Sequence, residues 1–154
     1  MDKKRLRGFE VVKAYEAADI HLPKRKPAAS AGYDIEAAEA VDLPPHQVTL
    51  VPTGLKAYMQ KDEYLGIHIR SSIAVKMQLS CINSQGIIDA DYYNNPDNEG
   101  HIMVPLVNHS DVAVHIGKGI RIAQGIFYKY LTADDDAAGS GAARTGGFGS
   151  TGEK

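Results

Sequence analysis

Hydrophobic residues occupy every second position in several stretches of the chain. Three such sets lie at residues 65–69, 102–106 and 112–116, and the longest set covers residues 120–131. Alternation of this kind is produced by a strand, whose side chains point to opposite faces in turn, and not by a helix. In the longest set we expect these residues to share one face: Ile120, Ile122, Gln124, Ile126, Tyr128 and Tyr130.

Turn-forming segments rich in glycine and proline divide the alternating stretches into short pieces. They lie at residues 44–45, 52–54, 95–97 and 117–119. Many short strands separated by turns are typical of a β-sandwich or β-barrel. The one helix that the pattern suggests is short, from Ser72 to about Gln78. Pro105 cannot donate a ladder hydrogen bond, so we expect its strand to lie at a sheet edge or to be bulged there. The pattern thus predicts an all-β fold.

Length and composition exclude several classes of protein. A chain of 154 residues is expected to form one compact domain, and its single cysteine, Cys81, cannot form an internal disulfide. No signal peptide opens the sequence, and no apolar run approaches the roughly 20 residues of a membrane span. A net charge of −2 gives no general attraction to nucleic acid or anionic lipid. We therefore expect a soluble cytoplasmic protein with no nucleic-acid or membrane partner, in which Cys81 is a small buried hydrophobe.

The composition changes after residue 132. Residues 133–154 contain six of the 15 glycines and a single large apolar side chain, Phe148. Such a segment cannot bury enough surface to offset its ordering entropy. We expect a β-barrel domain at residues 1–132 and a flexible C-terminal arm at residues 133–154. The arm is either a solubilising tail or, because residues 144–152 combine an arginine, glycines and hydroxyls, an anion-binding segment.

Arg70, Ser71 and Ser72 follow the predicted strand at residues 65–69. An arginine and two hydroxyls at a junction between a strand and a helix can hold phosphate oxygens. The alternative is that a serine caps the helix beside a surface arginine.

A second polar segment surrounds Asp89 and Asp91. These two carboxylates can orient a water molecule or a hydrated cation, and Asn83, three residues before Gly86, offers both donors and acceptors to a base edge. The alternative is a polar turn. The spacing gives no metal cage, and the six histidines show no metal-ligand spacing, so we expect no directly ligated transition metal.

Five segments, in order, resemble the five signature motifs of the trimeric dUTP pyrophosphatases (dUTPases) of the bacterial or phage type. They lie at residues 31–35, 70–74, 83–92, 121–124 and 144–152. The resemblance implies a jelly-roll β-barrel of the β-clip type that forms a homotrimer with shared active sites. It also implies hydrolysis of dUTP to dUMP and pyrophosphate by attack of water at the α-phosphorus, which keeps uracil out of DNA.

The resemblance implies roles for residues of the third motif. Asp89 resembles the carboxylate that orients and deprotonates the attacking water. Tyr92 resembles the ring that packs on deoxyribose and excludes a 2′-hydroxyl. Asn83, with main-chain groups near Gly86 and Ile88, resembles the hairpin that binds uracil.

The remaining motifs resemble the phosphate-binding and metal-binding parts of the family. The expected contacts to phosphates and water come from Arg70, Ser71, Ser72 and Gln124. The expected contacts of the arm come from Arg144, Gly149, Ser150 and Thr151, with Phe148 as a lid over the base. The cofactor implied is Mg²⁺ chelated by the substrate phosphates, with no direct protein ligand and Asp34 as a possible outer-shell carboxylate.

Some positions depart from the family pattern and leave two alternatives open. Ser72 stands where the second motif usually has glycine, and residues 93–100 insert a polar loop after the third motif. One alternative is a dCTP deaminase, a relative with the same fold, although residues 100–106 lack the acid that deamination needs. The other is a non-catalytic regulatory protein that binds a partner through the loop at residues 93–100.

Overall fold

The chain is described by a computed structural model that covers residues 4–138. Within this range the strands are β1 (Gly8–Val11), β2 (Tyr33–Glu36), β3 (Val41–Leu43), β4 (Val48–Pro52), β5 (Leu55–Tyr58), β6 (Glu63–Ile69), β7 (Leu79–Cys81), β8 (Gly86–Asp89), β9 (Met103–Asn108), β10 (Val114–Ile116) and β11 (Arg121–Lys129). The helices are α1 (Ser71–Met77) and two short 3-10 helices, η1 (Lys13–Tyr15) and η2 (Ala90–Tyr92). The all-β prediction is confirmed, and α1 lies within one residue of its predicted bounds. No helix in residues 4–138 is long and apolar enough to cross a membrane.

The strands form antiparallel sheets around one hydrophobic core. One sheet has four strands in the order β2-β11-β6-β8, a second has three in the order β4-β9-β7, and β1-β5 and β10-β3 form pairs. Several neighbours, such as β2 and β11, are far apart in sequence, as expected for a jelly roll. The largest fully buried core side chains include Ile35, Leu43, Val51, Leu55, Leu65, Ile102, Val104, Leu106, Ile116 and Ile122.

The predicted alternation is confirmed in β6 and β9. Leu65 and Ile67 point into the core from β6, whereas His68 between Ile67 and Ile69 is only partly buried. Val104 and Leu106 of β9 are fully buried. Each strand therefore contributes one apolar face to the core, and its other face is available for polar side chains.

The prediction of one shared face along residues 120–131 is wrong. Ile120 lies before β11 and is 41% exposed. The register of β11 against β2 shifts just before Ala123, and Ile122 and Ala123 are both fully buried. This bulge places one extra residue in β11 and exchanges its two faces. The odd-numbered residues 123–127 then face the core, and the even-numbered residues 124–128 lie on the outer face.

Two smaller expectations are also wrong. Pro105 does not lie on an edge strand, because β9 is the middle strand between β4 and β7. The carbonyl of Pro105 accepts a hydrogen bond from the Ile82 amide, just beyond the end of β7, so the missing N–H faces the place where this pairing stops. The strand expected at residues 112–116 is shorter than predicted. Val112 is 67% exposed and lies outside β10, which begins at Val114.

Candidate active site

A pocket of about 220 Å³ opens beside the turn that connects β7 to β8. It brings together five residues that the sequence analysis singled out, namely Asn83, Gly86, Ile88, Asp89 and Tyr92. The rest of its lining was not predicted and consists of Ile67, Cys81, Ile87, Met103 and Pro105. Mostly apolar walls with a few polar groups suit a flat ring that hydrogen-bonds along one edge.

A tight turn connects β7 of the three-stranded sheet to β8 of the four-stranded sheet. Ser84 adopts a positive φ of 64°, its amide donates to the Cys81 carbonyl (3.0 Å), and the Gln85 amide donates to the Asn83 carbonyl (2.7 Å). Gly86 then starts β8 opposite Ile67, and a Cβ at Gly86 would lie 3.2 Å from the Ile67 Cβ. Glycine therefore permits the close approach of β8 to β6.

Cys81 is a buried wall of this pocket. It is 6% exposed and belongs to the hydrophobic core, and burial raises the pKa of its thiol. The interpretation of Cys81 as a small buried hydrophobe is confirmed. A neutral thiol in this place contributes apolar contact to whatever occupies the pocket.

Asp89 and Tyr92 stand at the two ends of η2. Asp89 is the last residue of β8, and it borders both the pocket and a wider, more open cavity that includes Asp91 and Tyr130. Tyr92 is buried, and its hydroxyl donates to the His101 carbonyl at 2.5 Å. The end of β8 therefore places a carboxylate at the pocket rim, and the short 3-10 turn that follows places an aromatic ring in the pocket wall.

A second polar cluster is centred on Asp34 of β2. Arg70 Nε lies 3.8 Å from Asp34 Oδ1, and Arg121 Nη1 lies 3.5 Å from Asp34 Oδ2. Gln124 of β11 pairs with Asp34 across the sheet, and its side chain occupies the space that a Cβ at Gly32 would need. The cluster thus gathers two guanidinium groups and an amide, which are suitable donors to an anion.

Ser71 and Ser72 are the first two residues of α1. The N-cap is Arg70, which makes no side-chain capping bond, so the alternative of a serine N-cap is wrong. The amide of Arg70 donates to the Ile122 carbonyl at 3.1 Å and so joins the start of the helix to β11.

Asp89 and the cluster around Asp34 are far apart within one chain. Asp89 pairs with Tyr64 near the start of β6, Gln124 pairs with His68 four residues further along, and Arg70 follows the last residue of β6. At a rise of about 3.3 Å per residue, Asp89 lies about 13 Å from Gln124 along the strand and about 20 Å from Arg70. One copy of the chain does not bring these residues together.

The residues expected on the C-terminal arm lie outside the described range. They are Arg144, Phe148, Gly149, Ser150 and Thr151. Within residues 4–138 no group of three or more His, Cys, Asp or Glu side chains is arranged to hold a metal ion.

The fold and the site define a jelly-roll protein with an apolar pocket and an arginine cluster, and comparisons with known proteins identify the family. The dUTPase family model matches residues 18–152. The chain is 55% identical over 148 residues to the deoxyuridine 5'-triphosphate nucleotidohydrolase of Lactococcus lactis, which covers 96% of this chain and 99% of that protein. It superposes on the crystal structure of the Streptococcus mutans dUTPase with a TM-score of 0.79 and 46% identity, covering 82% and 98% of the two chains. The chain therefore belongs to the dUTPase family of enzymes.

More distant structures share the fold alone. A mutant dUTPase of Staphylococcus aureus phage phi11, described with a structural Mg(II) ion, matches with a TM-score of 0.70 at 19% identity, covering 88% and 98% of the two chains. A mutant dUTPase of phage 80alpha with dUpNHpp matches with a TM-score of 0.71 at 19% identity, covering 89% and 98%. The resemblance to dUTPases and the jelly-roll prediction are confirmed.

Proposed function

We propose that this member of the dUTPase family hydrolyses dUTP to dUMP and pyrophosphate in the cytoplasm, by attack of water at the α-phosphorus. The observation that carries the proposal is the pocket beside the turn between β7 and β8, in which a base-edge partner, Asn83, lies with the carboxylate of Asp89 and the ring of Tyr92. Attack at phosphorus asks the protein mainly for positioning and charge stabilisation, and these groups supply the positioning.

The pocket supports selection of uracil and of deoxyribose. Asn83 offers an amide donor and acceptor, and Gly86 and Ile88 of β8 line the same pocket. When another base binds, the polar groups of a site matched to uracil are left without hydrogen-bond partners. Sites of this kind favour the matched substrate by about 10⁴–10⁵ in kcat/KM. The ring of Tyr92 packs on the sugar and leaves no room for a 2′-hydroxyl.

Asp89 holds and deprotonates the attacking water. The carboxylate stands at the pocket rim where the open cavity begins, so a bound nucleotide places its phosphates beside it. A carboxylate within hydrogen-bond reach of the water acts as a general base, which contributes about 10²–10⁴ to the rate of such reactions.

The triphosphate is neutralised by arginines and by Mg²⁺. Arg70, Ser71, Ser72 and Gln124 bind phosphates and water, and Arg144, Gly149, Ser150 and Thr151 bind them from the arm. Mg²⁺ keeps several waters and is usually held by substrate phosphates with one or two carboxylates. Asp34 fits an outer-shell role, because both its oxygens already contact guanidinium groups and remain able to accept hydrogen bonds from waters of a hydrated ion. When bound, the ion neutralises phosphate charge.

A homotrimer explains why the site residues lie apart in one chain. The water held by Asp89 and the phosphates bound by Arg70 and Gln124 have to be within a few ångströms of each other. Since these residues are about 13–20 Å apart in one copy, Asp89 of one subunit meets the Arg70 cluster of another. The arm at residues 133–154 then closes the site, with Phe148 over the base.

Parallel assays of pyrophosphate release test the proposed function. Purified protein with Mg²⁺ is given dUTP, dCTP, dTTP and UTP, and ammonia release from dCTP is measured beside them. We expect pyrophosphate from dUTP alone, with equimolar dUMP. Ammonia from dCTP would replace the proposal with deamination, and a folded protein that leaves dUTP intact would favour a regulatory role.

A further inference from the structure

The loop at residues 93–100, which the proposed reaction does not use, is folded against the phenol of Tyr92. The Nδ2 atom of Asn98 donates to the Tyr92 hydroxyl at 2.9 Å, and this hydroxyl donates to the His101 carbonyl at 2.5 Å. The hydroxyl therefore makes one bond as acceptor and one as donor, and the outer end of the ring is held at two points.

The orientation of the Asn98 side chain is fixed by its other contacts. Asn98 Oδ1 accepts hydrogen bonds from Asn95 Nδ2 at 2.7 Å and from the Gly100 amide at 3.1 Å. Asn95 is 5% exposed, and the same Nδ2 atom also donates to the Tyr92 carbonyl at 2.8 Å. With its oxygen engaged by two donors, Asn98 can present only its NH₂ group to the Tyr92 hydroxyl.

The loop is tied to the barrel by a nearly buried charge. Lys56 of β5 is 8% exposed, and its Nζ donates to Asn94 Oδ1 at 2.5 Å and to Glu99 Oε2 at 2.6 Å. Glu99 Oε1 accepts from the Lys13 amide at 2.9 Å, and hydrogen bonding to Lys56 holds the pKa of Glu99 below its usual value. Displacing the loop would leave this nearly buried charge with only the more distant carboxylate of Glu10, whose Oε1 lies 4.0 Å from Nζ, which is costly.

We propose that Asn98 is a positioning residue that sets the sugar selectivity of the site by fixing the ring of Tyr92. The proposal rests on the proposed function, in which this ring excludes a 2′-hydroxyl. A steric filter works only if the wall cannot move by the size of the rejected group, and a shift of about 1 Å is enough to lose such selectivity. The loop is thus a clamp on the sugar-binding wall.

The first test is the ratio of kcat/KM for dUTP to kcat/KM for UTP. Asn98→Ala removes the amide from an exposed position with ordinary backbone angles, and we expect the ratio to fall about tenfold, the effect of about one hydrogen bond to the ring. Asp97→Ala is the matched control, because Asp97 is exposed in the same loop and contacts Asn95 through its backbone amide. The control is expected to keep the wild-type ratio.

The second test asks whether Asn98 acts through the hydroxyl. Tyr92→Phe removes the hydroxyl and keeps the ring, so we expect the same fall in the ratio, and Asn98→Ala combined with Tyr92→Phe is expected to be no worse than either change alone. If the falls in the ratio caused by the two single changes multiply in the double variant, Asn98 does not act through the Tyr92 hydroxyl, and the proposal is overturned.

The outcomes separate the positioning role from the proposed function. An unchanged ratio in Asn98→Ala, with wild-type protein that hydrolyses dUTP, overturns the role of Asn98 and leaves the proposed function in place. If Asn98→Ala lowers the denaturation midpoint but leaves the dUTP/UTP ratio unchanged, the role of Asn98 is only structural. That result also overturns the proposal. Wild-type protein that fails to hydrolyse dUTP overturns the proposed function and, with it, this inference.

Discussion

At the scale of single residues, the chemistry depends on where each side chain leaves the backbone. Asp89 ends β8 in an extended conformation (φ −77°, ψ 157°), and the 3-10 turn that follows carries Tyr92 back into the wall of the same pocket. Only two residues, Ala90 and Asp91, therefore separate a polar group at the rim from an aromatic group inside. Since the connection is short, neither residue can move independently of the other.

Asp89→Asn tests the role of the carboxylate as a general base. The amide has nearly the same shape but cannot accept a proton, so we expect kcat to fall by about 10²–10⁴. Binding of a non-hydrolysable dUTP analogue, measured by calorimetry, is expected to change little. Turnover close to that of the wild type would contradict the assigned role.

His101 gives the fold a dependence on pH. Its Nε2 accepts a hydrogen bond from the Gly54 amide at 2.9 Å, and burial lowers the pKa of His101 below its usual value of 6.5. The unfolded chain then binds a proton that the folded chain does not, so the free energy of unfolding is expected to decrease as the pH falls below about 6.5.

Urea denaturation between pH 7 and pH 5 measures this effect. His101→Gln keeps an acceptor for the Gly54 amide but cannot be protonated, and its stability is expected to vary less with pH over this interval. The window stays above the range in which Glu10, Glu63 and Glu99 lose their ion pairs, because the pKa values of these carboxyls are lowered from 4.5. If the stability of the wild type and of His101→Gln changed equally with pH, His101 would not be the source of the pH dependence.

At the scale of elements, two strands determine the layout of the site. β6 pairs with β8 at one end and with β11 along its whole length, so it holds the pocket and the arginine cluster at a fixed separation. The bulge in β11 exchanges the faces of that strand and places Gln124 beside Asp34 on the outer face. A strand paired on both sides cannot bend to bring the two clusters together.

The C-terminal arm is the element whose role is tested by truncation. Removal of residues 143–154 deletes Arg144 and Phe148, and we expect kcat/KM for dUTP to fall by at least about 10², because the proposed phosphate contacts and the proposed exclusion of water would be lost. Light scattering is expected to show an unchanged oligomer. The control is removal of residues 153–154 alone, which lie beyond the fifth motif. Full activity after removal of residues 143–154 would show that the arm takes no part in catalysis.

At the scale of the whole molecule, the barrel presents the two halves of a site at separate places. Asp89 lies beside the start of β6 and the cluster around Asp34 and Arg70 lies at its other end, and in the proposed site each half is incomplete alone. Rotational symmetry solves this problem, since a closed ring of copies places one half of each chain against the other half of its neighbour. The proposed trimer therefore contains as many sites as subunits.

Complementation between inactive variants tests the shared site. Arg70→Ala and Asp89→Asn are each expected to be inactive, but co-expression gives mixed trimers in which about one site in three has both groups intact, if each site combines two neighbours. We expect about a third of the wild-type activity from mixed trimers purified with two different tags. Mixed trimers without activity would show that both groups belong to the same subunit.

The sequence alone determined the class of fold and the local part of the site. Alternation at residues 65–69 and 102–106 was enough to predict strands, because a single strand sets the direction of its own side chains. Asn83, Asp89 and Tyr92 were also predictable as a group, since all three lie within a segment of ten residues and must therefore be close in space. The roles assigned to individual site residues stay predictions, as does the division at residue 132.

Only the tertiary structure decided what depends on pairing between distant segments. The bulge before Ala123, the central position of the strand containing Pro105 and the bond from Asn98 to Tyr92 leave no signal in local periodicity. The pocket walls from Ile67 and Met103 come from separate strands for the same reason. A sequence pattern records the preference of one segment, whereas register, bulges and the distance between clusters result from the joint packing of segments around one core.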